Sequence, residues 1–265
     1  MLAEHGGEAK LIAGGQSLVP MMNFRLVTPA VLIDINGIEG LGGIAATPGG
    51  GVRVGARVRH HQLMTSALVA ELHPVVPAAM HHVAHLAIRN RGTIGGSLSH
   101  ADPAAELPML MLLLEATLRL AGPGGAMREV PAAGFFAGPL STAIGPEEML
   151  VEIVLPPRLA AGWAFREYAQ RAGDFALAGV GVLLNARDGL AADVRVAVMG
   201  VGDTPLRLPE VERVLAGRAV DDALIAEAAA ALRAAVTPNE DLHGSPAYRR
   251  RLAGGGLGPN WGAVR

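Results

Sequence analysis

Two short segments of this chain carry residues arranged for anion binding. Ala13-Gly14-Gly15-Gln16-Ser17-Leu18 sets adjacent glycines ahead of a polar pair, and Thr93-Ile94-Gly95-Gly96-Ser97 repeats the arrangement with hydroxyls on both sides. Glycines lack a Cβ, so backbone N–H groups can ring an anion, and Ser or Thr hydroxyls add donors. Two such loops could clamp a pyrophosphate from opposite sides. A Gly-Gly pair taken alone more often only makes a turn. Neither segment fits the P-loop, because no Lys-Ser/Thr follows, and neither fits G-x-G-x-x-G. A dinucleotide bound here is therefore held by another kind of fold.

The other candidates for chemistry are weaker. His81 and His85 stand four apart on a predicted helix with His82 beside them, a spacing that could bring two imidazoles to one face. His-Glu-x-x-His is absent, so packing or surface histidines are the simpler reading, as they are for His60-His61. Glu147-Glu148 lie at a predicted turn and read as solvated. Asp221-Asp222 read as the cap of the helix that follows. Ser17 and Ser97 have no base to activate them as nucleophiles and suit phosphate donation. Met21-Met22 and Met109–Met111 read as core or interface filling. No catalytic residue and no metal ligand is predicted.

Composition narrows the classes. The chain has no cysteine, which excludes a disulfide, a thiolate zinc site and an iron–sulfur cluster of its own. A net charge of −2 with no basic run argues against nucleic acid as a partner. The longest apolar runs, 107–114 and 176–184, are too short to span a bilayer. The first residues lack the features of a secretory signal, so a cytoplasmic location is expected.

The elements that must position the loops follow from periodicity and punctuation. Strands are predicted at Lys10–Ala13, leading into Gly14-Gly15, at Val31–Ile35, and at Val52–Val58, where apolar residues alternate with Arg53, Arg57 and Arg59. Apolar residues from Leu72 to Leu86 recur at three- and four-residue steps and predict one amphipathic helix. Ala104–Glu115 predicts a buried helix, with strands at Ala116–Ala121 and Met149–Leu155. Pro156-Pro157 marks the boundary between two domains, 1–157 (subdomains about 1–45 and 46–157) and 158–265. Beyond it, strand-like runs at Trp163–Gln170, Ala176–Ala186 and Val194–Val201 precede helices at Glu210–Ala216 and Asp221–Val236. Strands then helices imply an α+β domain with helices on one face of an antiparallel sheet. Tyr248–Leu252 begins a last helix that Gly254-Gly255-Gly256 is expected to break.

Three motifs in register carry a resemblance. Ala13-Gly14-Gly15-Gln16-Ser17-Leu18-Val19-Pro20, Arg89-Asn90-Arg91-Gly92-Thr93-Ile94-Gly95-Gly96-Ser97 and His100-Ala101-Asp102-Pro103-Ala104-Ala105-Glu106 resemble the FAD-binding medium subunit of molybdenum hydroxylases. That family includes aerobic carbon monoxide dehydrogenase and xanthine dehydrogenase. The likeness covers nearly the whole chain. It departs at the start, where relatives have a further strand and most of a helix before Leu2-Ala3-Glu4. It departs again at the tail Leu257–Arg265, for which a shifted reading frame is one hypothesis.

The resemblance implies an α+β fold: a vanillyl-alcohol-oxidase-like (PCMH-type) FAD-binding domain followed by a smaller C-terminal flavoprotein domain with an antiparallel sheet. It implies FAD as cofactor, its pyrophosphate wrapped by Ala13, Gly14, Gly15, Gln16, Ser17 and Leu18. Thr93, Gly95, Gly96 and Ser97 close on the same phosphates and reach toward the flavin. Asp102 matches a position that contacts the FAD ribose or neighbouring polar atoms, and Leu107 falls near the adenine-side contacts. Phe175, in Arg171-Ala172-Gly173-Asp174-Phe175, stands over the isoalloxazine where some relatives have Tyr, and Arg166 or Arg171 would lend positive charge. The implied partners are a large molybdopterin subunit, which oxidises the substrate, and a small subunit with two [2Fe–2S] clusters, assembled as a dimer of heterotrimers. Electrons pass from the clusters through FAD to NAD+, a quinone or oxygen. The complex is expected in the cytoplasm or peripherally at the inner membrane face. Two alternatives are a scaffold subunit of the same complex that has lost FAD and a stand-alone flavin oxidase.

Overall fold

A computed structural model describes residues 1–158, 160 and 162–258. The N-terminal unit is small. After α1 (Leu2–His5), strand β1 (Ala9–Ile12) pairs in parallel with β2 (Val31–Asp34), and α2 (Leu18–Asn23) connects them. Ala9↔Val31 to Ile12↔Asp34 is the register, which brings the ends of both strands, Ala13 and Ile35-Asn36, to one edge. None of the residues of α2 is buried.

A five-stranded antiparallel sheet forms the next layer. Its strands are β3 (Ile44–Ala46), β4 (Val52–Gly55), β5 (Thr117–Ala121), β6 (Met127–Pro131) and, after the hairpin β7 (Phe136–Gly138) and β8 (Ser141–Thr142), β9 (Met149–Leu155). Their order is β3-β4-β9-β5-β6. Val52, Val54, Leu118, Leu120, Ile153 and Leu155 point into a core shared with short helices α3 (His60–Thr65), α4 (Ala67–Leu72), α5 (Val75–Met80), α7 (Ile94–His100) and α8 (Glu106–Leu113), while α6 (Leu86–Arg89) lies outside it.

The single amphipathic helix expected over Leu72–Leu86 does not form. The chain breaks at His73-Pro74 and again after Met80, where Ala84 takes a left-handed φ of 41°. His81 and His85 are therefore not on one helical face. The apolar periodicity was that of two short helices packed on one core, with Pro74 at the cap between them.

The C-terminal unit is a sheet in the order β10-β11-β12-β13: β10 (Gly162–Tyr168), β11 (Ala178–Arg187), β12 (Leu190–Met199) and β13 (Leu206–Arg207), all antiparallel. One face of this sheet, including Val180, Val182, Val196 and Val198, packs on α9 (Pro209–Leu215), α10 (Asp222–Ala235) and α11 (Pro246–Gly256). The opposite face meets α8. A Cβ on Gly181 would lie 2.7 Å from Leu113 Cδ2 and 3.1 Å from Met109 Sδ. Helix α8 is consequently enclosed on all sides, and all eight of its residues are buried, which explains a sequence that is apolar throughout after Glu106 and has no amphipathic stripe.

Asp221 caps α10 as expected, accepting from the Leu224 N–H at 2.7 Å. Two expectations are corrected. Helix α11 runs straight through Gly254-Gly255-Gly256. A Cβ on Gly254 would sit 2.6 Å from Arg233 Nη1, and one on Gly256 would sit 2.7 Å from Val180 Cγ2, so close packing offsets a propensity cost of roughly 1 kcal/mol per glycine. Glu148 is not merely solvated: it accepts from Arg128 Nε at 2.6 Å and from the Gly145 N–H at 2.6 Å. Those bonds draw its carboxyl down to about 2. Most of the tail, residues 259–265 with Trp261, lies outside the described residues.

Candidate functional site

The first glycine loop lines an open cleft of about 560 Å³ together with the ends of β1 and β2 and part of the second loop: Ile12, Ala13, Gly14, Gly15, Gln16, Val19, Pro20, Asn23, Asp34, Asn36 and Arg91. Local chemistry shapes the loop. Gly15 takes φ 71°, a left-handed backbone that suits glycine. Gln16 Nε2 folds back to the Gly14 carbonyl at 2.9 Å. A Cβ on Gly14 would overlap the Arg91 carbonyl oxygen and lie 2.9 Å from the carbonyl carbon, so the two loops touch through backbone with no room for a side chain. Ser17 stands exposed at the start of α2 with no side-chain cap bond, and Leu18 opens that helix.

The second loop is anchored to the large sheet. Thr93 caps α7 by accepting from the Gly96 N–H at 3.0 Å, and its backbone bridges Arg59. The Gly95 N–H donates to the Ala56 carbonyl at 2.8 Å, and a Cβ on Gly95 would come within 2.6 Å of that oxygen. Gly95 is thus required by packing against the strand end, whereas Gly96 is exposed. His60 sits under the loop, its Nε2 3.0 Å from the Thr93 carbonyl. Burial drives its imidazole down to about 4, so the ring is neutral there.

Charged and amide side chains that the sequence did not single out surround the junction. Asn36 Nδ2 donates to the Ala13 carbonyl at 2.8 Å and to Asp34 Oδ1 at 2.6 Å. Arg59 Nη2 donates to Asn36 Oδ1 at 2.8 Å, and Arg59 Nη1 donates to the Arg91 carbonyl. Hydrogen bonds from Asn36, with Arg57 and Arg59 nearby, hold the Asp34 carboxyl below its usual range. Asp34-Ile35-Asn36-Gly37 had shown only as the end of a strand. The distance in sequence between Asn36 and its partners hid its role.

A second region, where the two sheets meet, collects the remaining candidates. Asp102 Oδ1 accepts from the Ala104 N–H at 2.8 Å in a tight turn, and the Pro103 carbonyl accepts from the Gly200 N–H at 2.9 Å. Leu107 lies within the core at 1 % exposure, away from the cleft, while Phe175 is 69 % exposed. The loop carrying Phe175 rests on the turn before α6, since a Cβ on Gly173 would lie 2.8 Å from His85 Cε1. Buried Arg249 ties this loop down, donating to the Leu177 carbonyl at 2.7 Å, the Gly200 carbonyl at 2.9 Å and Asp241 Oδ2 at 2.6 Å. Arg166 is directed at the end of α11, its Nη1 3.9 Å from a Cβ built on Gly258. Arg171 is exposed in the loop.

At the same seam two carboxyls are withdrawn from water. Burial pushes Glu106 up to about 7, with Asp102 adding to the effect. Burial and then the charge of Glu106 push Glu167 up to about 8. The Glu167 side chain is 2 % exposed, 3.9 Å from His82 Nδ1, and its Oε2 has no hydrogen-bond partner. Alternation along β10 carried the signal for Glu167, because it shares a face with Trp163 and Phe165, which pack on the first core.

These features fit a dinucleotide. The cleft is open, its rim offers backbone N–H groups at glycines, and its electrostatics are cationic at the loop junction. Residues 1–158 match the family described as the FAD binding domain in molybdopterin dehydrogenase. The chain belongs to that family. Residues 163–259 match the CO dehydrogenase flavoprotein C-terminal domain. Among relatives of this FAD-binding protein, the nicotine 6-hydroxylase medium subunit of Paenarthrobacter nicotinovorans is 38 % identical over 245 residues, 92 % of this chain and 86 % of the relative. The carbon monoxide dehydrogenase medium chain of Hydrogenophaga pseudoflava is 38 % identical over 255 residues, 96 % and 88 % of the two chains. The solved carbon monoxide dehydrogenase from Hydrogenophaga pseudoflava that lacks the Mo-pyranopterin moiety superposes with a TM-score of 0.93 at 39 % identity, covering 97 % of this chain and 89 % of that one. Quinoline 2-oxidoreductase from Pseudomonas putida 86 gives 0.92 at 38 %, covering 97 % and 88 %. These relatives belong to oxidoreductases, and the mixed helix-and-sheet fold with an antiparallel C-terminal sheet agrees with the expectation from sequence. Among the described residues no helix is long and apolar enough to cross a membrane, and no cluster of three or more His, Asp or Glu could hold a metal ion.

Proposed function

We propose that this chain is the flavin-carrying electron relay of a heteromeric molybdenum hydroxylase. Its partners are a molybdopterin-binding large subunit and a small subunit with [2Fe–2S] clusters, arranged as a dimer of heterotrimers in the cytoplasm. The observation that carries the proposal is the backbone contact of two glycine loops beside a cationic cleft in a member of this FAD-binding family. When bound, FAD supplies the redox chemistry, accepting electrons singly from the clusters and releasing them in pairs to NAD+, a quinone or oxygen.

The chain's own residues bind and orient. Backbone N–H groups of Ala13, Gly14, Gly15 and Gln16, with Ser17 and Leu18 at the head of α2, hold the pyrophosphate. Thr93, Gly95, Gly96 and Ser97 close on it from the other side. Asp102 serves the ribose, Leu107 backs the adenine side from the core, and the loop bearing Phe175 covers the isoalloxazine. Glu167, pushed up to about 8, is largely protonated at neutral pH, and Glu106, pushed up to about 7, is partly so, which lowers the negative charge at the seam and favours an anionic reduced cofactor. Substrate choice belongs to the large subunit.

Stopped-flow absorbance of the assembled complex, mixed with its substrate, tests the relay. Flavin bleaching that requires the iron–sulfur subunit supports it. A complex that turns over with no flavin signal makes this chain a scaffold, and turnover by the chain without partners makes it a stand-alone oxidase.

A further inference from the structure

We propose that Arg59 is a positioning residue that fixes the two glycine loops at one separation before any ligand arrives. The proposal rests on reading the cleft as the dinucleotide site. A guanidinium is a rigid planar fork whose arms can serve two acceptors at once. One arm of Arg59 donates to the Arg91 carbonyl in the second loop. The other donates to Asn36 Oδ1 at 2.8 Å, and Asn36 Nδ2 passes the connection to the Ala13 carbonyl at 2.8 Å. An unbroken run of hydrogen bonds therefore joins the first loop to the second.

The fork is mounted on rigid structure. Arg59 lies just before α3, its N–H bound by Gln62 Oε1 at 2.9 Å and its backbone bridged to Thr93. The neighbouring His60 N–H donates to the Gly92 carbonyl at 2.9 Å, and Ile94 N–H to the Val58 carbonyl at 3.0 Å. The second loop is thus bound to the sheet on both sides of Arg59, while the first loop is reached through Asn36. Without the fork the first loop would be held only by β1, β2 and its backbone contact with Arg91, next to α2, none of whose residues is buried.

Charge gives the arrangement its direction. Arg57 and Arg91 act on Arg59 as like charges, and the Asp34 carboxylate opposes them. Three guanidiniums against one carboxylate leave a positive surplus at the loop junction, suited to a doubly charged diphosphate. The same crowding is repulsive while the cleft is empty, so a firm brace is needed to keep the loops in place.

Brace and charge can be separated. Lysine keeps the charge but is a single point on a flexible stem and cannot span both acceptors. Amide hydrogen exchange on the ligand-free chain and FAD titration by flavin-fluorescence quenching should be run on wild type, Arg59→Lys and Asn36→Ala. Both variants are expected to speed exchange in 13–18 and 91–97 and to leave 178–187 unchanged. Arg59→Lys should bind FAD about tenfold more weakly, the equivalent of one charge-assisted hydrogen bond. Adding Asn36→Ala to Arg59→Lys should weaken it little further, because both cut the same connection. Should Arg59→Lys fail to fold, Asn36→Ala carries the same exchange prediction. Wild-type exchange in both loops of either folded variant overturns the proposal. If wild type binds no FAD yet the variants still loosen both loops, the brace stands and the dinucleotide reading fails. If wild type binds FAD and the loops do not loosen, the brace fails and the dinucleotide reading stands.

Discussion

Replacing Gly14 by alanine adds one methyl group at the point where the two loops touch. That methyl would overlap the Arg91 carbonyl oxygen and sit 2.9 Å from both the carbonyl carbon and Gly92 Cα. All three neighbours are backbone, so no flexible side chain can swing away. Overpacking of this kind costs roughly 1–3 kcal/mol. The cheapest relief in the ligand-free chain is to part the loops, because Gly14 lies beyond the end of β1 and not within a strand. A dinucleotide that needs both loops must then bring them back, so most of the cost passes to binding. At about 1.4 kcal/mol per decade the FAD dissociation constant should rise roughly 5- to 150-fold. Gly134→Ala is the control, since a Cβ there meets nothing within 4 Å. Both variants should be titrated with FAD and melted in its absence. Unchanged affinity for Gly14→Ala, with or without a lower melting temperature, would refute the claim that loop separation sets binding.

Other consequences are open to direct measurement. Glu106 and Glu167 bind protons in the folded chain that the unfolded chain releases above pH 4.5, and they keep them up to about 7 and about 8; stability should therefore be greatest below this window and fall as pH rises through it. The double variant Glu106→Gln/Glu167→Gln should flatten that slope in thermal melts across the window. Arg249→Met leaves the Leu177 and Gly200 carbonyls without their donor and should cost roughly 2–4 kcal/mol in denaturant unfolding. Gly181→Ala forces a methyl against Leu113 and Met109 and should cost roughly 1–3 kcal/mol, seen as a lower denaturation midpoint with an unchanged slope.

How much could be read beforehand depended on whether a residue's partners lay close in sequence. Val52 to Gly55 was legible because a half-buried strand alternates, and the helix over 106–113 because enclosure on all sides demands an apolar run. The glycine loops were legible as loops, yet their reasons differ: Gly15 answers to its own φ, while Gly14 and Gly95 answer to carbonyls at Arg91 and Ala56. Strands β3, β6, β7, β8 and β13 are short or contain Gly or Pro, and gave no period to count. The break at Ala84 was invisible because apolar steps continue across it. Arg59 reaches partners 23 and 32 residues away, and no local pattern announces such a contact. Gly254–Gly256 misled for the same reason, since what holds those glycines in a helix is packing on Arg233 and Val180.

On the proposed function, this chain holds FAD between its two glycine loops. The most direct test is the visible spectrum of the purified full chain with acid release and quantification of bound flavin, followed by titration of any apoprotein with FAD in the presence and absence of ADP. Close to one FAD per chain is expected, with ADP competing because it offers the same diphosphate to the same loops. A folded, colourless chain that takes up no added FAD would contradict it.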